Sequence, residues 1–244
     1  METVTATGMV ISSMPISEYD KRLVLLTKEF GKITAFARGA RRVNSALLAA
    51  SQPMVMGQFT LYQGREAYNL NSVKMTKYFG DELKDFDKIS LAAYFMEVAE
   101  YFGHENEGAG QMLNLLYVSM KALSNKKIPD MLIRYVYELK MLVINGEYPE
   151  VFSCVKCGSK ENINTFDTYH HGVLCDECVK TAKMPYIIKN SALYAMQYIV
   201  SAPIDRLYTF NVSDEVLKQL KDVIGTYFKS RVDRNFKSLR FIEL

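Results

Sequence analysis

Four cysteines constrain this sequence most, because they are the only ones among its 244 residues and they form two C-x-x-C pairs. Zn²⁺ prefers four tetrahedral ligands, and a tight turn lets both thiolates of one pair reach the same ion. Gly158 directly follows the first pair and suits such a turn, because glycine adopts positive φ without strain. The spacing therefore predicts one closed structural Zn²⁺ site per chain, formed by Cys154, Cys157, Cys175 and Cys178.

Two other uses of the cysteines stay open. Two disulfides would need an oxidising compartment, whereas residues 1–7 are polar and slightly acidic, unlike a secretory signal. A redox-active C-x-x-C is the second alternative, although two pairs with no further cysteine suit a cage better. His170 and His171 lie between the pairs and offer replacement ligands, but with four thiolates present we expect them to be polar loop residues.

Composition points to a globular protein with a substantial core. The chain is 49% hydrophobic and 23% charged, with a net charge of +3. No apolar run approaches the ~20 residues that cross a bilayer, so we expect a cytoplasmic protein without membrane contact.

The charges are unevenly distributed. Residues 20–42 and residues 218–240 each carry seven Lys/Arg against two acidic residues, whereas residues 81–107 carry eight acidic residues against two lysines. Such asymmetry suggests a polyanion partner at the basic regions. Ordinary solvated charge is an equally good explanation of the C-terminal basic cluster.

The first 80 residues predict β structure. Short apolar or alternating runs, with Gly31 in a turn and Gly57 at a bulge, predict five strands. These strands cover residues 3–12, 23–27, 33–37, 53–62 and 67–75. Five short strands in this length fit a Greek-key barrel of the OB type, with an SH3-like barrel as the alternative.

Helical periodicity begins after residue 81. The pattern predicts helices at residues 90–102 with Ser90 as N-cap, 112–123, 130–145 and 191–200, and a last one capped by Ser213. The predicted fold class is therefore α+β: an N-terminal five-stranded OB-type barrel and an α-helical domain carrying the zinc module. The expected domains are residues 1–80 and 81–244, with the zinc module at 151–182.

Catalytic signatures are absent from the sequence. There is no P-loop, no dinucleotide-binding glycine motif, no H-E-x-x-H and no G-x-S-x-G. A four-thiolate zinc site leaves no coordination position for a reactive water. We therefore expect a protein that is not an enzyme.

Binding is expected on the barrel instead. OB barrels bind through strands 2 and 3 and the neighbouring loops, where the first basic cluster falls. The candidate DNA-binding residues are Lys21, Arg22, Lys32, Arg38, Arg41 and Arg42. Phe30 and Phe36 are either stacking residues or part of the core. Nothing predicts base-specific readout, so affinity should depend strongly on salt.

Three stretches together resemble the RecO family of bacterial DNA repair and recombination mediators. The first runs from residue 20 through L-L-T-K-E-F-G-K to A-R-G-A-R-R at residue 42. The second is I-R-Y-V-Y-E-L-K at residues 133–140, followed by G-E-Y-P at 146–149. The third is the cysteine module, with Gly172 before its second pair. In order, they cover nearly the whole chain.

The resemblance implies more than the spacing. RecO-like proteins bind single- and double-stranded DNA and anneal complementary strands without a nucleotide. They also bind RecR and the C-terminal tail of SSB, and so help RecA to replace SSB on the strand. The resemblance also implies a cytoplasmic location at the nucleoid. It implies DNA contacts within residues 32–42, where Arg38 is the best match, and a pocket for the SSB tail in the helical domain. Two alternatives stay open: a scaffold for SSB and RecR with weak DNA binding, and a zinc-ribbon factor for RNA or transcription.

Overall fold

A computed structural model describes residues 3–65 and 67–242 of the chain. Its N-terminal part is a closed barrel of five strands in the order β1-β2-β3-β5-β4. The strands are β1 (Thr3–Pro15), β2 (Lys21–Thr27), β3 (Gly31–Ala37), β4 (Val55–Gln63) and β5 (Tyr68–Tyr78). All neighbours are antiparallel except β3 and β5, whose parallel pairing closes the barrel. This order confirms the OB-type prediction and excludes the SH3-like alternative.

Alternation of the side chains explains why the sheet closes. Along β3, Ile33, Ala35 and Ala37 are buried in the barrel core, whereas Lys32, Thr34 and Phe36 between them are only partly buried. The remaining four strands of the barrel also contribute core residues, including Ala6, Val10, Leu23, Leu25, Val55, Phe59, Leu61 and Leu70.

Gly57 marks a break in strand register, as predicted. The pairing between β4 and β5 shifts between Met56 and Gly57, so Thr76 on β5 is left over. A Cβ at Gly57 would lie 2.5 Å from the carbonyl oxygen of Lys74, so only glycine allows this approach of the two strands.

The chain forms two compact units, of which the first comprises Met1–Ser124 and Phe236–Leu244. Besides the barrel it contains α1 (Leu47–Ala50), α2 (Phe86–Phe102) and α3 (Gly110–Leu123). The prediction of Ser90 as N-cap is wrong: α2 begins four residues earlier, and Asp85 accepts a hydrogen bond from the Asp87 N–H. Ser90 is instead buried inside the helix.

The second unit, Asn125–Asn235, is built on helices. These are α4 (Asp130–Ile144), α5 (Asn190–Ser201), α6 (Asp214–Leu220) and α7 (Thr226–Arg231), the last two joined by a π-helical segment, Lys221–Gly225. Ser213 caps α6 as predicted, since its Oγ accepts from the Val216 N–H. Three short strands, β6 (Thr165–Asp167), β7 (Gly172–Leu174) and β8 (Pro185–Ile187), form a separate sheet that the sequence did not predict.

Helix α4 is the buried centre of this unit, but it is not purely apolar. Arg134 and Glu138 are both buried and pair at 2.8 Å one helical turn apart. The buried Lys140 donates from Nζ to the carbonyl oxygens of Ile199 and Ala202, at 3.2 and 2.7 Å. Its ammonium group therefore satisfies carbonyl oxygens at the C-terminal end of α5, where the helix dipole favours positive charge.

Within residues 3–65 and 67–242, no helix combines the length and the apolar character needed to cross a bilayer. The division of the chain into domains at residue 80 stays a prediction.

Candidate metal centre and candidate nucleic-acid interface

The four cysteines come together as the sequence predicts. Their Sγ atoms all lie within 4.8 Å of one another, and none of the four is in a disulfide. Cys157 Sγ and Cys175 Sγ are 3.6 Å apart. Four thiolates around one Zn²⁺, each bonded at about 2.3 Å, would place their sulfurs about 3.8 Å apart. The donor set and its spacing therefore fit a single tetrahedral metal ion and do not fit the disulfide alternative.

Local backbone geometry builds this arrangement from both C-x-x-C pairs. In the first pair, the Gly158 N–H donates to the Cys154 carbonyl at 2.8 Å, and Gly158 has φ of +76°. In the second, the N–H groups of Cys178 and Val179 both donate to the Cys175 carbonyl at 3.0 Å. Each C-x-x-C pair forms a tight turn, so local hydrogen bonds bring the two sulfurs of the pair to the same side.

The thiols differ sharply in their electrostatics. Burial raises the pKa of Cys154, but the N–H groups of Cys175, Cys157 and Lys156 donate to its sulfur and lower it overall to about 6. Burial and the neighbouring sulfurs raise the pKa of Cys178 to about 12. Since four adjacent thiolates repel one another, the cluster as a whole ionises only with a cation at its centre.

Neither histidine of the module belongs to this cluster. His170 Nδ1 contacts the buried carboxylate of Asp167, and the His171 ring meets Tyr227 edge-on with 6.0 Å between centroids. Burial would raise the pKa of Asp167, but hydrogen bonds from His170 and from the N–H groups of Met184 and Lys183 lower it. His170 thus stabilises the turn between β6 and β7 through its contact with Asp167.

The predicted DNA-binding cations are best described from the β2–β3 hairpin. Lys21 pairs with Ala37 and Arg22 with Phe36, so the start of β2 and the end of β3 lie side by side. Beyond them, residues 16–20 connect β1 to β2 and residues 38–46 lead from β3 to α1. We call these two connections, with the adjoining strand ends, the open end of the hairpin.

Five of the six predicted cations lie at the open end. Arg22, Arg38, Arg41 and Arg42 are exposed and Lys21 is partly buried. Lys21 Nζ donates to Ser51 Oγ at 3.0 Å, and burial followed by the nearby Arg41 lowers its pKa. Burial is the larger of the two causes, and an approaching anion would offset the second, the repulsion between Lys21 and Arg41.

Lys32 lies at the other end of the hairpin. Lys32 is five positions before Ala37 along β3, or about 17 Å of strand. Its Nζ donates to the carbonyl oxygen of Glu100 at 2.8 Å, near the C-terminus of α2. The six cations therefore do not form one cluster, and Lys32 has a structural partner within the protein. That these cations contact DNA stays a prediction.

The two candidate stacking residues, Phe30 and Phe36, lie in different surroundings. Phe30 packs against the barrel core and lies 6.2 Å from the Tyr68 ring. Phe36 is only partly buried, on the side of β3 opposite the core and beside Arg22. Tyr19 is not among the residues predicted from the sequence, and its ring lies 5.0 Å from the Arg42 guanidinium. Its position in the loop before strand 2 of an OB barrel is the one sequence signal that could have identified it.

Two family models match the chain in succession. The model of the recombination protein O N terminal matches residues 1–79, and that of the recombination protein O C terminal matches residues 83–240.

Curated proteins named DNA repair protein RecO are similar over the full length. The protein from Acetivibrio thermocellus is 33% identical, with 100% of this chain and 97% of the relative covered. The one from Alkaliphilus metalliredigens is 30% identical with 95% of each covered. The one from Bacillus subtilis is 28% identical, with coverages of 97% and 92%.

Proposed function

Because the chain belongs to the RecO family of DNA repair proteins, we propose that it is a non-catalytic recombination mediator. In this role it binds single- and double-stranded DNA and anneals complementary strands. Together with RecR it helps RecA to load on DNA covered by SSB, which it engages through the SSB C-terminal tail. It would act in the cytoplasm, at the nucleoid.

The concentration of cations at the open end of the hairpin carries this proposal. Arg22, Arg38, Arg41 and Arg42 are all exposed there, and Arg22 neighbours the partly buried Phe36 on the outer side of the barrel. Guanidinium groups neutralise phosphates, and this contribution to affinity is independent of sequence. A mediator needs such binding, because it must act wherever damage has exposed DNA.

Zinc has a structural role in this account. Cys154, Cys157, Cys175 and Cys178 would hold one Zn²⁺ per chain, and the ion would fasten residues 151–182. With four thiolate ligands the ion has no open position and activates no water, so it supplies stability and no reaction.

Charge removal at the open end tests the DNA site. We expect the double variant Arg22→Gln, Arg38→Gln to bind a single-stranded oligonucleotide more weakly than the wild type. Each lost phosphate contact should reduce the slope of log K against log salt by ~0.7, so the double variant should lose about 1.4. Fluorescence anisotropy titrations at four or five salt concentrations measure this slope.

A charge-matched control comes from two exposed lysines before α4. Lys126→Gln, Lys127→Gln removes the same charge from the second compact unit and should leave the slope unchanged. Equal slopes for the wild type and the Arg22/Arg38 variant would rule out the open end as the DNA site. Equal losses in both double variants would mean that binding follows net charge only.

A scaffold for SSB and RecR with weak DNA binding is the second candidate. The observation that favours it is a groove of about 590 Å³ between α5 and residues 209–213, lined by Tyr194, Tyr198 and Phe210 among others. Aromatic grooves of this kind accept apolar side chains of peptides. Failure to anneal bare complementary oligonucleotides, combined with clear binding of an SSB-tail peptide, would favour the scaffold.

A further inference from the structure

The open end of the hairpin exposes apolar side chains among its cations. Met14 and Ile16, where β1 ends, and Tyr19 and Val43 in the two connections are all large hydrophobic residues at the surface, and Val43 is 89% exposed. Apolar residues that are exposed in one region and surrounded by charged ones are typical of a surface that binds a partner. A partner that suits both must be anionic and must also present apolar faces.

Hydrogen bonds hold these two connections together. The Arg41 N–H donates to the Tyr19 carbonyl at 2.9 Å, and Arg41 Nη1 donates to the Ser17 carbonyl at 2.6 Å. The Gly39 N–H donates to Asp20 Oδ1 at 2.7 Å, and the Ile16 N–H donates to the Asp20 carbonyl at 3.1 Å. The backbone of Tyr19 is thereby fixed before any ligand arrives, which lowers the entropic cost of binding.

The ring of Tyr19 is prepared for stacking. Tyr19 is 43% exposed, and the Arg42 guanidinium lies over its ring at 5.0 Å from the centroid. An aromatic ring backed by a guanidinium offers a π surface and a positive charge at one point. Unpaired nucleotides provide the complement, because each has an exposed base face and a phosphate.

We propose that Tyr19 and Arg42 form a stacking platform for an unpaired base, and that this platform makes the open end prefer single strands to duplex. The inference rests on the proposed DNA-binding function and adds to it the state of the DNA that the site selects. In a duplex the base faces are covered by their neighbours, so only the cations contribute. A single strand gains base stacking in addition, an interaction that tolerates any sequence.

Three DNA probes separate stacking from phosphate contact: a single-stranded oligonucleotide, an abasic oligonucleotide of equal length and a duplex. Tyr19→Ala should weaken binding of the base-containing single strand about fivefold to a hundredfold, the usual range for one lost stacking contact. Affinity for the abasic strand and for the duplex should stay within about twofold, and the salt slope should be unchanged, because no phosphate contact is lost.

Two further variants control this test. Tyr19→Phe keeps the ring and should bind like the wild type. Tyr148→Ala removes a tyrosine of similar exposure, 48%, from the second compact unit and should leave all three affinities unchanged. Thermal unfolding followed by circular dichroism confirms that each variant is folded.

The outcomes separate this inference from the proposed function. If the wild type binds DNA but Tyr19→Ala keeps its single-strand affinity, the stacking platform is refuted while the proposed DNA binding stands. An equal loss on all three probes also refutes it, since the effect would not involve bases. If the wild type binds none of the three probes, the proposed function and the inference fail together.

Discussion

At the scale of residues, the cysteine cluster shows how short-range geometry prepares a metal site. Two tight turns, each closed by hydrogen bonds to the carbonyl of its first cysteine, bring four sulfurs within 4.8 Å of one another. Burial would raise the pKa of Cys154, but backbone N–H groups stabilise its thiolate and lower that pKa to about 6, whereas burial and the neighbouring sulfurs raise the pKa of Cys178 to about 12. The site is thus ready for a cation and electrostatically unfavourable without one.

This arrangement predicts proton-coupled metal binding. The purified protein should contain one Zn²⁺ per chain. Since the pKa of Cys178 is raised to about 12, the metal must displace its proton at neutral pH, so affinity should fall as pH is lowered. For each proton that the metal displaces, the affinity should fall about tenfold per unit decrease in pH. Competition with a chromophoric chelator between pH 6.5 and 8 measures this dependence.

The controls for metal binding are direct. Removal of the metal by a strong chelator should broaden the thermal unfolding transition, because folding of the module is linked to metal binding. An affinity that does not change with pH, or a protein purified without metal and with oxidised thiols, would contradict this account.

Local spacing allowed the cysteines to be identified from sequence, but it did not reveal what each cation does. Cys154 and Cys157 are set by one turn, so their role follows from adjacent residues. Lys32 donates to the Glu100 carbonyl, 68 positions away, and only the folded chain brings that helix end to the hairpin. Tyr19 was missed for the same reason, since its Arg42 partner comes from another connection.

At the scale of elements, the turn between β2 and β3 is held by the connection between α2 and α3. The Lys32 N–H donates to the His104 carbonyl at 3.0 Å, and the Asn106 N–H donates to the Phe30 carbonyl at 3.1 Å. Gly31, with φ of +68°, forms a bridge with Glu105. The turn between β2 and β3 is therefore covered, whereas the arginines at the open end of the hairpin are exposed.

A pair of glycine substitutions tests this docking. Gly31→Ala should destabilise the protein by more than ~2 kcal/mol, because its Cβ would overlap the carbonyl oxygens of His104 and Glu107 as well as strain the backbone. Gly39→Ala has nearly the same φ, +67°, but meets only the Arg42 side chain at ordinary contact distance. It should cost about 1–2 kcal/mol.

Urea unfolding curves of both variants, compared by midpoint and slope, measure the difference. Equal destabilisation by the two substitutions would show that the α2–α3 connection does not hold the turn.

Periodicity predicted the long elements well and their ends less well. The five strands of the barrel and the helix at α4 follow from alternation and 3.6-residue spacing. The predicted start of α2 was wrong because Asp85 caps the helix, and Ser90 lies buried inside it. Strands β6, β7 and β8 have three residues each, too few to show any period.

At the scale of the whole molecule, the two chemical features belong to different compact units. The sulfur cluster lies within Asn125–Asn235, and the open end of the hairpin lies within the unit that contains the barrel. Under our proposal, a metal ion would stabilise the second unit, while the cations and Tyr19 of the first unit would bind an extended polyanion. Such a separation is what we expect of the proposed non-catalytic mediator.

Annealing of complementary strands at several salt concentrations tests this central claim most directly. With labelled oligonucleotides, bare or covered by SSB, the wild type should accelerate duplex formation, and the acceleration should decrease as salt rises because phosphate contacts are screened. The Arg22→Gln, Arg38→Gln variant should lose most of this acceleration while its metal content stays at one Zn²⁺ per chain. No acceleration by the wild type at any salt concentration would contradict the account.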